Sequence, residues 1–378
     1  MRVLALDVET TIHNHGAPFD SRNKLVCISW AHNFTGPVAV GASRITAGLV
    51  EALQKLVDEA DLVIGFNFKF DMHWLAQAGL RLDHARLYDC QLAEFVITRQ
   101  QQRYPSLENC AIKYNLGHKI DVIKSEYWDK KIDTDAIPWP ILREYAKQDA
   151  RLTLSLYEAQ KAHITSAQAI LLRVLNEDLK VLQEMERNGL VYDEDLCAAR
   201  GSELQAAIEE HRNTLNAFYP DVPINWASGD QLSAFLYGGT ISQTIKEHDG
   251  FFKSGARKGE PKLKNVEVLH QLPRLYEPLP RSELAKDGYW ATNEDTLLKL
   301  KGKKGPLKIL LELSKMEKLL GTYYLGIPKL NAEMHWQRGV LHGTFNTVVA
   351  ATGRLSCMKP NLQNFAGELK DVFITRYK

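Results

Sequence analysis

Strand-sized apolar runs that alternate with helical repeats predict an α/β N-terminal domain. It is a mixed sheet of about five strands with flanking helices, ahead of a mainly α-helical second part. Three observations support that reading. Turn residues punctuate the apolar runs as far as residue 160. From Gln168 to Phe218 the helical period is nearly unbroken. Residues 240–290 lose periodicity and gather Pro and Gly, which marks a loop or hairpin insertion.

Taken in order, "VLALDV" (3–8), "KLVCISWA" (24–31), "PVAVGA" (37–42) and "DLVIGFN" (61–67) read as strands. "LVEALQKLVDEA" (49–60) has apolar residues at helical spacing, and "FDMHWLAQAG" (70–79) is a helix with a glycine stop. "CQLAEFVIT", "SLENCAIKYNLG" and "ILREYAKQDARLTLSLYEAQKAH" continue as helices. The boundary to the helical part falls near residue 165. Beyond it, Leu171, Val174, Leu175, Leu179, Leu182 and Met185 form one apolar stripe. Asn188-Gly189 ends that helix, and another starts near Asp193.

A chain of 378 residues exceeds a single core, so two domains are expected. The hydrophobic share of 45% and charged share of 25% describe a soluble globular protein. A net charge of +1 leaves nucleic-acid binding to local patches. The five cysteines have no CxxC spacing and read as reduced thiols of a cytoplasmic protein. The acid at position 7 argues against a signal peptide, and no run of about 18 apolar residues suggests a membrane partner.

Asp7 and Glu9 stand two apart on the first strand, so the strand period turns both carboxylates to one face. Their apolar neighbours make the strand central and buried. Two buried carboxylates repel each other and are costly to desolvate, and a nearby cation resolves that cost. Asp71 lies in the first turn of the helix after "LVIGFN". Tyr145 and Asp149 are four apart and share a helix face. Singly, each has a plain structural reading, as acids at a strand end or a half-buried Tyr beside a surface Asp. His13, His15 and His73 lack metal-ligand spacing among themselves and read as loop or surface residues.

In their order, "LDVET", "NFKFD" and "YAKQD" resemble the tyrosine branch of the DEDD superfamily of 3′–5′ exonucleases. The resemblance implies a ribonuclease-H-like fold. It also implies that Asp7, Glu9, Asp71 and Asp149 gather around two Mg²⁺ (or Mn²⁺) ions, with Asp7 bridging both. Glu9 and Asp149 would complete the nucleophile-side site, Asp71 would support the other, and Tyr145 would orient the attacking water. The chemistry agrees, because hard oxygen ligands suit Mg²⁺ and Mn²⁺. Such an ion pair makes hydroxide at neutral pH and holds charge on the attacking and leaving oxygens. The same resemblance sets Thr10 at the terminal nucleotide and Asn67 and Lys69 at the strand being cut. Asp89 in "YDCQLA" would orient the helix that bears it.

From residue 166 the phrases "VLQEMERNGLVYD", "INWASGDQLSAFLYGG", "ILLELSKMEKLLGTYYLGIPKL" and "FNTVVAATGRLSCMKPNLQNF" resemble family A DNA polymerases of the bacteriophage replicative type. The implied organisation is an exonuclease domain over 1–165, a thumb over 166–340 with the insertion at about 240–290, and the start of a palm over 341–378. By this resemblance Arg354 reaches the minor groove at the primer end, and Asn361 and Gln363 contact the duplex nearby. "KLKGKKGPLK" (299–308) has five Lys and no acid, and "KSGARKGEPKLK" (253–264) has five bases against Glu260. Both suit phosphate contacts.

The expected activity is hydrolysis of single-stranded or frayed DNA 3′ ends to nucleoside monophosphates. It would be the proofreading function of a polymerase, working on a primer–template duplex in a bacterial or phage-infected cytoplasm. The palm Asp and the fingers helix of the family are not in the sequence, so polymerisation by this chain alone is not expected. One alternative is the N-terminal subunit of a split polymerase, completed by a separate palm-and-fingers chain. The insertion at 240–290 is a candidate docking place for a processivity factor. Another is a non-catalytic DNA-binding fragment. A ribonuclease D-type exoribonuclease shares the acids but lacks the thumb and TGRLS phrases. A palm fragment without partner strands would leave an open sheet edge and apolar face, so residues after about 340 are expected to pack poorly alone or to await another chain.

Overall fold

The computed structural model describes residues 1–117, 122–255, 257–300 and 305–375. Its sheet has five strands: β1 (Val3–Thr10), β2 (Leu25–His32), β3 (Ala39–Arg44), β4 (Leu62–Gly65) and β5 (Leu87–Asp89). Their spatial order is β3-β2-β1-β4-β5, with β1 antiparallel to β2 and parallel to β4. The apolar run of β1 is explained by that central place, since Val3, Leu4, Ala5 and Leu6 are almost wholly buried. The fifth strand is only Leu87–Asp89, too short for any periodicity to announce it.

Helices α1 (Ala47–Glu59), α2 (Phe68–Gln77), α3 (Cys90–Ile97), α4 (Leu107–Lys113) and α5 (Val122–Glu126) follow the strands. Gly65 ends β4 where a Cβ would lie 1.9 Å from the Phe68 ring, so the first turn of α2 can close tightly on the sheet. The long α6 (Trp139–Gln160) lies against β1, β2 and β3. A small core of Cys27, Ala42, Leu142, Tyr145 and Ala146 joins them.

Next come α7 (Ser166–Asn188), which opens on a capping box at Thr165, and β6 (Leu190–Val191). The face that α7 buries carries Leu172, Asn176, Leu179, Leu182 and Glu186. This corrects the expected stripe, because Leu171, Val174 and Met185 are exposed. The buried register includes an Asn and a Glu, which apolar counting passes over.

A separate compact unit, Asp195–Gly326, holds most of α8 (Glu194–Asn216) together with α9 (Gly229–Tyr237). It also holds a hairpin of β7 (Gly239–Phe251) and β8 (Pro261–Leu272), then α10 (Glu294–Lys299) and α11 (Pro306–Leu319). The hairpin is the expected insertion, with "KSGARKGEPKLK" at its tip and in β8. Residues 301–304 of the other basic segment lie outside the described residues.

At the start of α12 (Gly326–Glu333) the chain rejoins the sheet unit, which comprises Met1–Glu194 and the residues from Ile327 onward. β9 (Val340–Leu341) pairs with β6, and β10 (Thr344–Asn346) pairs with β11 (Ser356–Met358). Of the two alternatives for the tail, poor packing is corrected for the described residues. Leu341, Phe345, Cys357, Leu369 and Val372 are buried, and Phe345 and Cys357 share a core cluster with Leu182. The compact units divide the chain after Glu194 and after Gly326, with α7 and the residues from Ile327 onward in the sheet unit.

Candidate active site

Three carboxylates meet at the centre of the sheet unit. Asp7, Glu9 and Asp149 each offer an oxygen within 4.8 Å of the others. β1 supplies two of them by its alternation, and α6 brings the third across the same sheet face. The β1–β2 register slips between Glu9 and Thr10, a bulge at the end of the site. Ser29, opposite Asp7 on β2, donates its hydroxyl to Asp7 Oδ2 at 3.3 Å. Sequence reasoning missed Ser29, which only the strand pairing brings to the acid. Burial and then the charges of Glu9 and Asp7 push the Cys27 thiol far up, so it remains protonated beside the cluster.

Tyr145 stands one helical turn from Asp149, is buried, and hydrogen-bonds its carboxylate. Burial, followed by the charges of Glu9, Asp149 and Asp7, raises the phenol far above its ordinary range. The hydroxyl is therefore a fixed hydrogen-bond donor at neutral pH.

Asp71 is not one of the three converging carboxylates. It lies in the first turn of α2, buried, and its Oδ1 accepts the backbone N–H of Val8 at 3.0 Å, between Asp7 and Glu9 in sequence. Burial first, and then the charge of Asp7, push its pKa well above the usual carboxylate range. A group so placed favours either protonation or a cation.

The donor set fits a hard divalent cation, because the three converging ligands are all carboxylate oxygens and neither His nor thiolate belongs to the group.

Asp89 caps α3 through Gln91 N (2.8 Å) and Leu92 N (3.3 Å). It also accepts Asn67 N (3.1 Å) and Phe68 N (2.9 Å) at the start of α2. One carboxylate thus ties together two helix N-termini, one more than expected. Asn67 begins α2 with φ 55° and leaves its side chain uncommitted to the cap. Thr10 is buried and donates to Thr11 O at 3.1 Å.

Lys69, expected at the strand being cut, has its Nζ paired with Glu186 and donating to Phe345 O at 2.7 Å. One expectation is corrected here. His73 is a buried residue of α2 paired with Glu186, not a surface residue, whereas His13 and His15 are exposed. Arg354, Asn361 and Gln363 are exposed near β11. There the Asn361 side chain accepts Gln363 N, and Gln363 Nε2 donates to Leu355 O. No described helix is long and apolar enough to cross a membrane.

Residues 1–164 match the family model described as 3′-5′ exonuclease, and residues 265–376 match that of DNA polymerase family A. Over 345 residues the chain is 27% identical to DNA polymerase I of Pseudomonas aeruginosa, covering 88% of this chain and 32% of the relative. It is 26% identical over 360 residues to the DNA polymerase of Escherichia phage T5, covering 90% of this chain and 38% of that one. The chain thus spans about a third of the length of the curated relatives. Among solved structures, the POL domain of Pol1 from M. smegmatis, in complex with DNA primer-template and dNTP, aligns with a TM-score of 0.62 at 20% identity. That alignment covers 97% of this chain and 52% of the other, and it shows a shared fold.

Proposed function

Starting from a chain that belongs to the 3′–5′ exonuclease family over residues 1–164 and to DNA polymerase family A over 265–376, we propose that it is a metal-dependent exonuclease. It removes nucleotides from DNA 3′ ends as the proofreading part of a family A polymerase, in a bacterial or phage-infected cytoplasm. The observation that carries the reading is the convergence of Asp7, Glu9 and Asp149 within 4.8 Å, with Tyr145 bonded to the last.

In this reading Asp7, Glu9 and Asp149 would hold one Mg²⁺ or Mn²⁺, and Asp7 with Asp71 would hold a second. Bound there, the ions supply a hydroxide at neutral pH and neutralise charge on the attacking and leaving oxygens. Tyr145 keeps its proton, and its hydroxyl turns from Asp149 to the attacking water and orients it by donating to it. Ser29 steadies the Asp7 carboxylate, and Asp89 fixes the backbone from which Asn67 faces the strand. Thr10 meets the terminal nucleotide. Exposed Arg354, Asn361 and Gln363 hold a primer–template duplex, and the lysines of 253–264 and 299–308 hold phosphates. Lys69 enters only if DNA draws it away from Glu186.

The test is polarity and product. A 5′-labelled DNA oligonucleotide with a free 3′ hydroxyl should shorten one nucleotide at a time and release nucleoside monophosphates, while a 3′-blocked copy persists. Internal cuts, or equal loss of the blocked copy, would sink the reading. Faster loss of an RNA copy than of DNA would move the substrate to RNA.

A further inference from the structure

We infer that Glu186 is a positioning residue for the acidic centre, an inference that rests on the exonuclease reading. Glu186 lies on the buried face of α7 and touches none of the three converging carboxylates. Its own carboxylate accepts from Lys69 Nζ, from His73 Nε2 at 2.7 Å and from the backbone N–H of Phe345 at 2.6 Å. Its backbone carbonyl accepts from His342 Nδ1 at 2.7 Å.

Lys69 and His73 are one helical turn apart on α2, and Asp71 lies between them in sequence. A step of two residues turns a helix about 200°, so Asp71 points away from both. On that opposite side it accepts Val8 N–H from β1. The first two turns of α2 are therefore gripped from two sides, by β1 through Asp71 and by α7 through Glu186. Phe345 on β10 closes the arrangement, since its N–H binds Glu186 and its carbonyl binds Lys69.

A buried carboxylate with three donors cannot be neutralised without cost. Its loss leaves the ammonium of Lys69 buried with one partner fewer, and α2 must shift or admit water to compensate. Any such shift moves Asp71 relative to Asp7. The same grip shapes a cavity of about 340 Å³ lined by Asn67, Lys69, Glu186, Phe345 and Asn346. Glu186 thus acts on the centre through the helix it holds.

The experiment compares wild type, Glu186→Gln and Lys69→Met in the full chain. Mn²⁺ binding is read by calorimetry without DNA, 3′ trimming is followed across a metal titration, and circular dichroism confirms the fold. Glu186→Gln should weaken Mn²⁺ binding about tenfold, the low end for groups that support metal ligands. Its trimming deficit should be largest at low metal and shrink toward saturation. Lys69→Met should shift Mn²⁺ binding in the same direction, and it carries the comparison if Glu186→Gln does not fold. Unchanged Mn²⁺ affinity in the folded variants overturns the inference and leaves the exonuclease reading intact. A wild type that binds Mn²⁺ without trimming overturns that reading instead, while the calorimetric ratio still decides the role of Glu186.

Discussion

At the residue scale, the site depends on which carboxyl groups carry charge. Burial and Asp7 raise the pKa of Asp71, so the folded, metal-free protein binds that proton more tightly than the unfolded chain does. The stability linked to Asp71 therefore rises as pH falls through its folded pKa, and it levels off below the unfolded value of about 3.9. With a chelator present, Asp71→Asn should melt higher than wild type at pH 7 and lose this part of the pH slope. Thermal melts across pH check it, and an identical slope in the variant would contradict the assignment. Tyr145 gives a second expectation. Removing a donor that orients the attacking water, by Tyr145→Phe, should slow trimming about 100-fold without unfolding the protein. A rate within a few-fold of wild type would remove Tyr145 from the chemistry.

In the sequence two short periods place Asp7 with Glu9 and Tyr145 with Asp149, and Asp71 is joined to them only by the family resemblance. Alternation along a strand sets the first pair, and a four-residue helical step sets the last. Ser29 and Glu186 were not legible. Their partners lie 22 and up to 159 residues away, and nothing local marks a Ser on a strand or a Glu on a helix as buried.

At the element scale, Asp89 is the joint between α2 and α3. It accepts four backbone N–H groups, two at the end that carries Asn67 and Asp71 and two at its own helix. Asp89→Ala strands those donors and should cost about 2–4 kcal/mol, more than a single lost cap. Urea unfolding measures it, and a loss below about 1 kcal/mol would show that water replaces the carboxylate. β1, β2 and α6 followed their sequence patterns closely, and β5 did not. α7 did not, because its buried face is chosen by partners. Asn176 accepts Asp89 N–H at 2.7 Å and Glu186 binds α2, so polar residues share the buried face while Leu171 and Val174, which apolar counting placed there, are exposed.

At the scale of the whole molecule, the palm-like residues belong to the sheet unit rather than hanging from it. Phe345 and Cys357 pack on Leu182, and Tyr192 bridges to Phe373. Removing residues from 327 onward would uncover Leu182 and take two donors from Glu186, Phe345 N–H and His342 Nδ1. The shortened chain should melt several degrees lower and be cut faster by protease within α7. An unchanged melting temperature would show that the sheet unit closes without them.

The central claim is that one group of acids, with metal, performs the cleavage. The most direct test follows a 5′-labelled oligonucleotide with wild type and Asp149→Ala, purified in parallel, in Mg²⁺ and in chelator. Trimming should occur only with wild type and Mg²⁺, and fall at least about 1,000-fold in the variant, a loss in the range of removing a group on which the reaction depends. Trimming that persists in chelator, or that is equal in Asp149→Ala, would contradict the account.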